Sequence, residues 1–338
     1  MGETSRIEWT EASWTVVTGC HKAGSGCRFC YSEREWARLS ANPATLYYGR
    51  AFGDVRFHPT KLREPWRWRR PRRVFVSSMG DVFHPSVRDE EITAVFAVMA
   101  ACRHHHFQVL TKRAERMQAW LSELTALPSP IAVLAASLEA FGLGDLVPAL
   151  KNAEWPLPHV MAGVSVDDQD STDARIPLLL KTPATRRFVS VEPLLAPLSL
   201  SCVHASSHVL LDALCGCGVD RRAITQSIPN IGCHRLDWVI VGGESGPQAR
   251  PLHPDWVRRL REECAASEVP FFFKQWGEWA PLESVPPSDS ARVIRTAAMD
   301  DATVMYRVGR AKAGRLLDGR LHDDMPAELP FPQTRSHP

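Results

Sequence analysis

The chain has 338 residues, 44% hydrophobic and 23% charged, with a formal net charge of +2. That length exceeds one small module and suits one large α/β domain with an appendage, and the composition excludes global disorder. A near-neutral balance does not demand a polyanionic partner, so a nucleic-acid surface would have to be read from local clusters.

No run of about 18 uncharged apolar residues occurs, so no membrane span is expected. The opening MGETSRIEWTEASW has no apolar h-region and does not read as a signal peptide, which predicts a cytoplasmic protein. Nine cysteines in a reducing compartment read as core thiols or metal ligands, not as a disulfide framework.

In chain order, β-branched or aromatic runs predict strands at Trp14–Gly19, Val74–Ser78, Phe107–Thr111, Val160–Val166, Arg187–Val191, Trp238–Gly243 and Pro270–Lys274. Helical periodicity follows most of them. It predicts helices over Tyr31–Ala41, over Val87–Arg103 with a Ser86/Asp89 capping start, over Ala114–Leu127, and from Pro254 to about Ser267. Strands alternating with helices imply an α/β fold with a parallel sheet: a full or partial (β/α) barrel, with an open doubly wound sheet as the competing architecture.

Two segments depart from this rhythm. Residues 128–158 are Ala/Leu/Pro-rich and read as a helical insertion. Residues 201–235 are rich in Cys, His and Gly and read as an insertion between strands five and six. The barrel is assigned to residues 1–280. A C-terminal appendage takes 281–338, with a short basic helix near Val308–Leu317.

Reactive groups in such folds stand at the C-terminal ends of the strands. Those ends carry Cys20, Ser78-Met79-Gly80-Asp81, Lys112-Arg113, Ser165 with Asp167, Glu192, Gly242-Gly243-Glu244-Ser245 and Lys274-Gln275-Trp276. For Lys112, Glu192 and Lys274 a plain charge pair at the barrel mouth is the competing reading.

The most specific motif is Cys20-x6-Cys27-x2-Cys30. Soft thiolates favour zinc or iron–sulfur. A structural zinc wants four ligands, whereas a [4Fe–4S] cluster on three cysteines keeps one iron open. Zinc completed by His21, and unrelated reduced thiols, are the other readings. The intervening glycines let backbone N–H groups approach a cluster, and Phe29 and Tyr31 would cover it.

The stretch IEWTEASWTVVTGCHKAGSGCRFCY resembles the opening of a phage- and bacterium-associated family of uncharacterised proteins with an N-terminal three-cysteine motif, related to the radical S-adenosylmethionine (SAM) superfamily. VFVSSMGDVFH, VLTKR, GVSVDDQ, VSVEPLL, LDWVIVGGESG, PFFFKQWGEW and VGRAKAGRLLDG extend the resemblance over nearly the whole chain. It implies a radical SAM/TIM-type barrel. It also implies a [4Fe–4S] cluster on Cys20, Cys27 and Cys30, SAM as cosubstrate, an electron donor, and a 5′-deoxyadenosyl radical.

By that resemblance Ser165 and Asp167 face the SAM ribose and Lys112 or Arg113 its carboxylate; Ser78 and Tyr31 are also assigned to cofactor binding, Tyr31 as an aromatic over the cluster and the adenine. The substrate, which phage association points toward nucleic acid or a nucleotide, lies among Asp81, Lys112, Glu192, Glu244 and Lys274. The sequence departs from the superfamily in its six-residue first gap. It also lacks a Gly-Gly-Glu after the second strand and has one, Gly242-Gly243-Glu244, after the sixth.

Two further clusters stand apart. KLREPWRWRRPRR (61–73) reads either as a nucleic-acid contact or as a solvated turn with Trp66 and Trp68 packed inward. With zinc in the cysteine motif, the first of these makes a non-catalytic nucleic-acid-binding protein. Cys202, Cys215, Cys217 and Cys233 read either as a second metal site or as free thiols. His104-His105-His106 reads as a helix terminus, and Cys102 and Cys264 as core.

Overall fold

The computed structural model of the chain describes residues 5, 7–220, 222, 227–228, 234–284, 295–300 and 302–327. Its centre is a seven-stranded sheet whose spatial order follows the sequence. The strands are Ala12–Trp14, Arg73–Val76, His106–Thr111, Val160–Val166, Arg186–Val191, Trp238–Gly242 and Phe271–Gln275. Every neighbouring pair is parallel. The sheet is curled into a partial barrel, so the doubly wound alternative is set aside.

Both faces of the sheet are buried, which is why its strands read as nearly continuous apolar runs. In the second strand Val74 and Val76 join the large outer core under the helices, while Phe75 joins an inner cluster. That cluster contains Trp9, Phe75, Phe188, Trp238, Ile240 and Phe272. Trp9 comes from the segment before the first strand and packs 4.8 Å from Phe75 and 6.2 Å from Trp238, centroid to centroid. Burying a large apolar side chain of this kind contributes about 1.5–3 kcal/mol.

Helices Asp89–Ala101, Ala114–Ala126, Gln169–Lys181 and Pro254–Ala266 follow the second, third, fourth and sixth strands, and Tyr31–Ser40 follows the cysteine loop. The second-strand helix starts at Arg88, whose N–H donates to Glu91 Oε2 at 2.9 Å. Ser86 and Asp89 therefore do not form the cap. The insertion at 128–158 holds Pro130–Ala140, capped by Ser129, and a 3-10 turn at Gly144–Leu150.

The expected first strand, Trp14–Gly19, is displaced. Its register with the second strand ends at Trp14↔Val76, because Ser77 takes a φ of 59° and leaves extended geometry. Val17–Thr18 then turns aside to pair with Arg56–Phe57. The Cys/His-rich insertion forms a small antiparallel sheet of Val203–His204, Val209–Asp212, Cys217–Asp220 and Ser227–Ile228. The appendage carries a second antiparallel sheet and a short helix, Arg310–Ala313, bounded by Gly309 and Gly314 at positive φ.

The tail also covers the edge of the seventh strand and runs on past the starts of the sixth and fifth. Asp323 pairs antiparallel with Phe272, and Phe273 N–H donates to His322 O at 2.9 Å. Trp238 Nε1 donates to Asp324 O at 2.9 Å and Arg186 reaches Ala327 O at 2.6 Å. Among the described residues no single helix is long and apolar enough to cross a membrane.

Candidate active site

A cavity of about 430 Å³ opens at the C-terminal ends of the strands. Its floor is apolar, with Ile7, Trp9, Phe75 and Leu110. Its rim brings together Cys20, Cys27, Cys30, Tyr31, Ser78, Asp81, Lys112, Arg113, Ser165, Glu192, Glu244 and Lys274. Twelve of the thirteen residues picked from the strand ends and the cysteine motif thus line one space. The remaining one, Asp167, approaches from behind the cysteine loop through Gly26.

The three cysteines have unbridged, half-exposed thiols. Cys20 follows the short strand Val17–Thr18, Cys27 ends the 3-10 turn Ser25–Cys27, and Cys30 is the N-cap of helix Tyr31–Ser40. Burial pushes the Cys20 thiol up to about 11, with the Arg113 guanidinium 3.6 Å from its Sγ pulling the other way.

The loop is fastened to the strand ends by polar contacts. Arg113 Nη2 donates to His21 O at 3.0 Å, and Arg175 Nη2 to Ala23 O at 2.9 Å. Ser25 Oγ donates to Asp168 Oδ2 at 3.3 Å, and Gly26 N–H donates to Asp167 Oδ2. Gly26 has to be glycine, since a Cβ there would lie 2.1 Å from that carboxylate oxygen. Asp167 is 1% exposed. Burial alone would raise its carboxyl, but Lys112, Ser171, Gly26 and Arg175 outweigh it and hold the group below the usual value of 3.8.

Asp81 is a hub. Its carboxylate accepts from Thr111 Oγ1 at 2.8 Å, from Phe83 N–H at 2.9 Å and from Arg113 Nη1 at 2.8 Å. Ser78 Oγ lies 2.6 Å from Ser13 Oγ, and Ser78 O accepts from the Tyr31 hydroxyl. Ser165 Oγ donates to Glu192 O at 3.3 Å. These groups tie the ends of the first three strands to one another, and the fourth to the fifth, before any ligand is considered.

Two cations remain turned to the cavity. Lys112 Nζ is 3.7 Å from Asp167 Oδ2, is buried, and has no hydrogen-bond partner among the described residues. Lys274 Nζ is 2.7 and 3.0 Å from the two Glu192 oxygens, so that pair is the mouth ion pair weighed from the sequence. Beside Cys20, His21 Nδ1 lies 2.9 Å from His84 Nε2. Burial, with Arg113 nearby, lowers His84 to about 4, so its ring is neutral near pH 7.

The Gly242-Gly243-Glu244 motif interlocks two loops. A Cβ on Gly243 would lie 1.9 Å from Trp276 O, and Glu278 N–H donates to Glu244 O at 3.1 Å. Trp276 and Trp279 are buried, their indoles bonded to Leu316 O and Ala249 O. The Trp276–Trp279 segment therefore joins the barrel to its appendage. The Glu244 carboxylate is taken by Arg250, a residue that sequence reasoning passed over although it stands six positions along the same block.

The other clusters lie elsewhere. The basic stretch sits at the N-terminal side of the second strand, the end opposite the cysteines. Trp68 is core, Trp66 packs against it, Arg63 pairs with Asp145, and Arg67, Arg69 and Arg70 are exposed. Cys102 and Cys264 are buried, as expected. His105 is also buried, and its imidazole is pushed down to about 3, so it is no cation at a helix end. Cys202, Cys215 and Cys217 are exposed and free, and Cys233 lies outside the described residues. Among the described residues no three or more His, Cys, Asp or Glu side chains converge as ligands of one ion.

No curated protein and no solved structure matches the chain. The model of the family described as "Protein of unknown function (DUF5131)" matches residues 4–326. With that match running from before the first strand to the end of the described tail, the chain belongs to the DUF5131 family.

Proposed function

We propose that the protein is an iron–sulfur enzyme of the radical SAM kind, acting in a reducing, cytoplasmic setting with an electron donor. The observation that carries this reading is the placement of three unbridged thiols of one loop around a cavity at the C-terminal ends of parallel strands. The donor set fits a [4Fe–4S] cluster. Three soft ligands at separate positions suit a group whose irons each take one thiolate, and they fall short of the four convergent ligands of a structural zinc. When bound, such a cluster supplies the electron that cleaves SAM to a 5′-deoxyadenosyl radical.

The chain's own residues have distinct tasks in this reading. Cys20, Cys27 and Cys30 hold the cluster. Lys112 offers a buried ammonium that, among the described residues, has Asp167 at 3.7 Å as an ion-pair partner but makes no hydrogen bond, which suits the SAM carboxylate. Arg113 is less suited, because Asp81 and the cysteine loop already engage it. The main tasks of Ser78, Ser165 and Asp167 are likewise structural. Trp9, Phe75 and Leu110 exclude water from the cavity floor. Glu192 and Lys274 face the remaining space and would orient a polar substrate between them, a nucleotide or nucleic-acid portion being one class that fits.

The test is anaerobic purification and reconstitution, with iron and sulfide counted and EPR recorded on the reduced protein with and without SAM. A reduced-cluster signal that changes on adding SAM, together with 5′-deoxyadenosine, is the expected result. A zinc-loaded, EPR-silent protein that leaves SAM intact would overturn the reading.

A further inference from the structure

Glu244 is 5% exposed, and among the described residues its carboxylate accepts hydrogen bonds from Arg250 alone. Its Oε2 accepts from the Arg250 backbone N–H and from Nε, both at 2.9 Å, and its Oε1 accepts from Nη2 at 2.7 Å. A carboxylate so buried and so completely engaged fixes the plane of the guanidinium. The fixed guanidinium then reaches across the mouth. Nη2 donates to Ser25 O at 3.2 Å, and Cζ stands 5.3 Å from the centroid of the Phe29 ring.

These two contacts fall on the two gaps of the cysteine motif. Ser25 lies between Cys20 and Cys27, and Phe29 lies between Cys27 and Cys30. Arg28 covers Phe29 at 5.2 Å as well. The fourth-strand end holds the same loop through Asp167, Asp168 and Arg175. Arg250 supplies a hold from the sixth-strand end.

We propose that Arg250, fixed by Glu244, is a positioning residue that holds the Cys20–Cys30 loop with its thiols facing the cavity whether or not a metal is bound. The Gly-Gly-Glu block after the sixth strand is then a support for the cysteine loop, not a cosubstrate site. Lysine cannot replace the arginine. One ammonium cannot bond both Glu244 oxygens, donate to Ser25 O and cover an aromatic ring together. The loop assignment stands independently of the iron–sulfur reading, and only its consequence for a cluster rests on that reading.

The test is mapped alkylation of the metal-free, reduced full chain by iodoacetamide, comparing the wild type with Arg250→Lys and Glu244→Gln. Cys27 and Cys30 are expected to react about tenfold faster in both variants, as a charge-assisted hold on the loop is lost. Cys202 and Cys215 should keep their rates, and Cys102 and Cys264 should stay protected. Unchanged rates at Cys27 and Cys30 in the folded variants would overturn the assignment.

Should Cys102 and Cys264 become reactive, the variant has unfolded. Phe29→Leu then decides, because it removes the ring that Arg250 covers and leaves the ion pair intact. A faster Cys27 in that variant supports the proposal and an unchanged one defeats it. Reconstitution gives the separate readout. If the wild type takes up iron and sulfide, Arg250→Lys should lose them faster to a chelator. If the wild type takes up neither, the iron–sulfur reading fails while the alkylation rates still decide the role of Arg250.

Discussion

The two ends of the partial barrel are built from opposite materials. At the mouth, carboxylates and cations are paired around the opening: Asp81 with Arg113, Asp167 with Lys112 and Glu192 with Lys274 between different strand ends, and Glu244 with Arg250 within the loop after the sixth strand. The interior below is plugged by Trp9, Phe75, Phe188, Trp238 and Phe272, and the base beside it holds neutral, buried His105 and His159. Charge held in place at one end and apolar closure at the other is the division expected when the strands' C-terminal ends carry chemistry and their N-terminal ends carry stability.

The sharpest way to break this comparison is at the mouth. Cys27→Ala is expected to reduce SAM cleavage to background, measured as 5′-deoxyadenosine, while leaving the urea midpoint nearly unchanged. Cys215→Ala, on the exposed insertion hairpin, should change neither. At the plug the pattern should invert. Trp9→Ala is expected to cost about 3–5 kcal/mol by urea denaturation, because Trp9 is 2% exposed and touches three other rings.

A smaller effect comes from pH. Burial, partly offset by a bond to Met99 O, depresses His159 to about 4, and burial beside His104 depresses His105 to about 3, both from 6.5. Depressed values mean that the unfolded chain binds the proton more readily. Stability is therefore full above pH 6.5 and falls as pH drops through the folded values, by about 3 kcal/mol for His159. His159→Gln, which keeps an N–H donor and cannot titrate, should flatten the urea midpoint between pH 7 and pH 4.5. The smallest effect belongs to the exposed basic stretch. Arg69→Ala with Arg70→Ala should shift stability by less than about 0.5 kcal/mol and leave SAM cleavage unchanged. A loss of cleavage there would show that the two ends are coupled.

Much of this was legible in the sequence, because a parallel sheet buried on both faces leaves apolar runs that end where polar residues begin. Six of the seven strands fall within about two residues of those runs. The first does not, since WTVVT continues the β-branched pattern through a backbone that turns aside where Ser77 ends its partner. The cysteine loop was visible as spacing, and the strand ends as a set of polar residues.

What spacing does not carry is pairing. Asp167 seizing Gly26, and Glu244 seizing Arg250, depend on which loops the curl of the sheet brings face to face. The insertion's two-to-four-residue strands were too short to register as a pattern, and its folding was hidden beneath its Cys and His content.

The tail's bridge at Asp323 bears on more than the packing of one sheet edge. A parallel sheet with an uncovered seventh strand would present Phe271, Phe272 and Phe273 beside a row of unsatisfied backbone groups, the kind of template on which a second molecule can add itself. His322 and Asp323 occupy that row from within the same chain. His322 and Asp323 thus cover part of the edge on which a second molecule could add itself, by backbone pairing that depends little on side-chain identity.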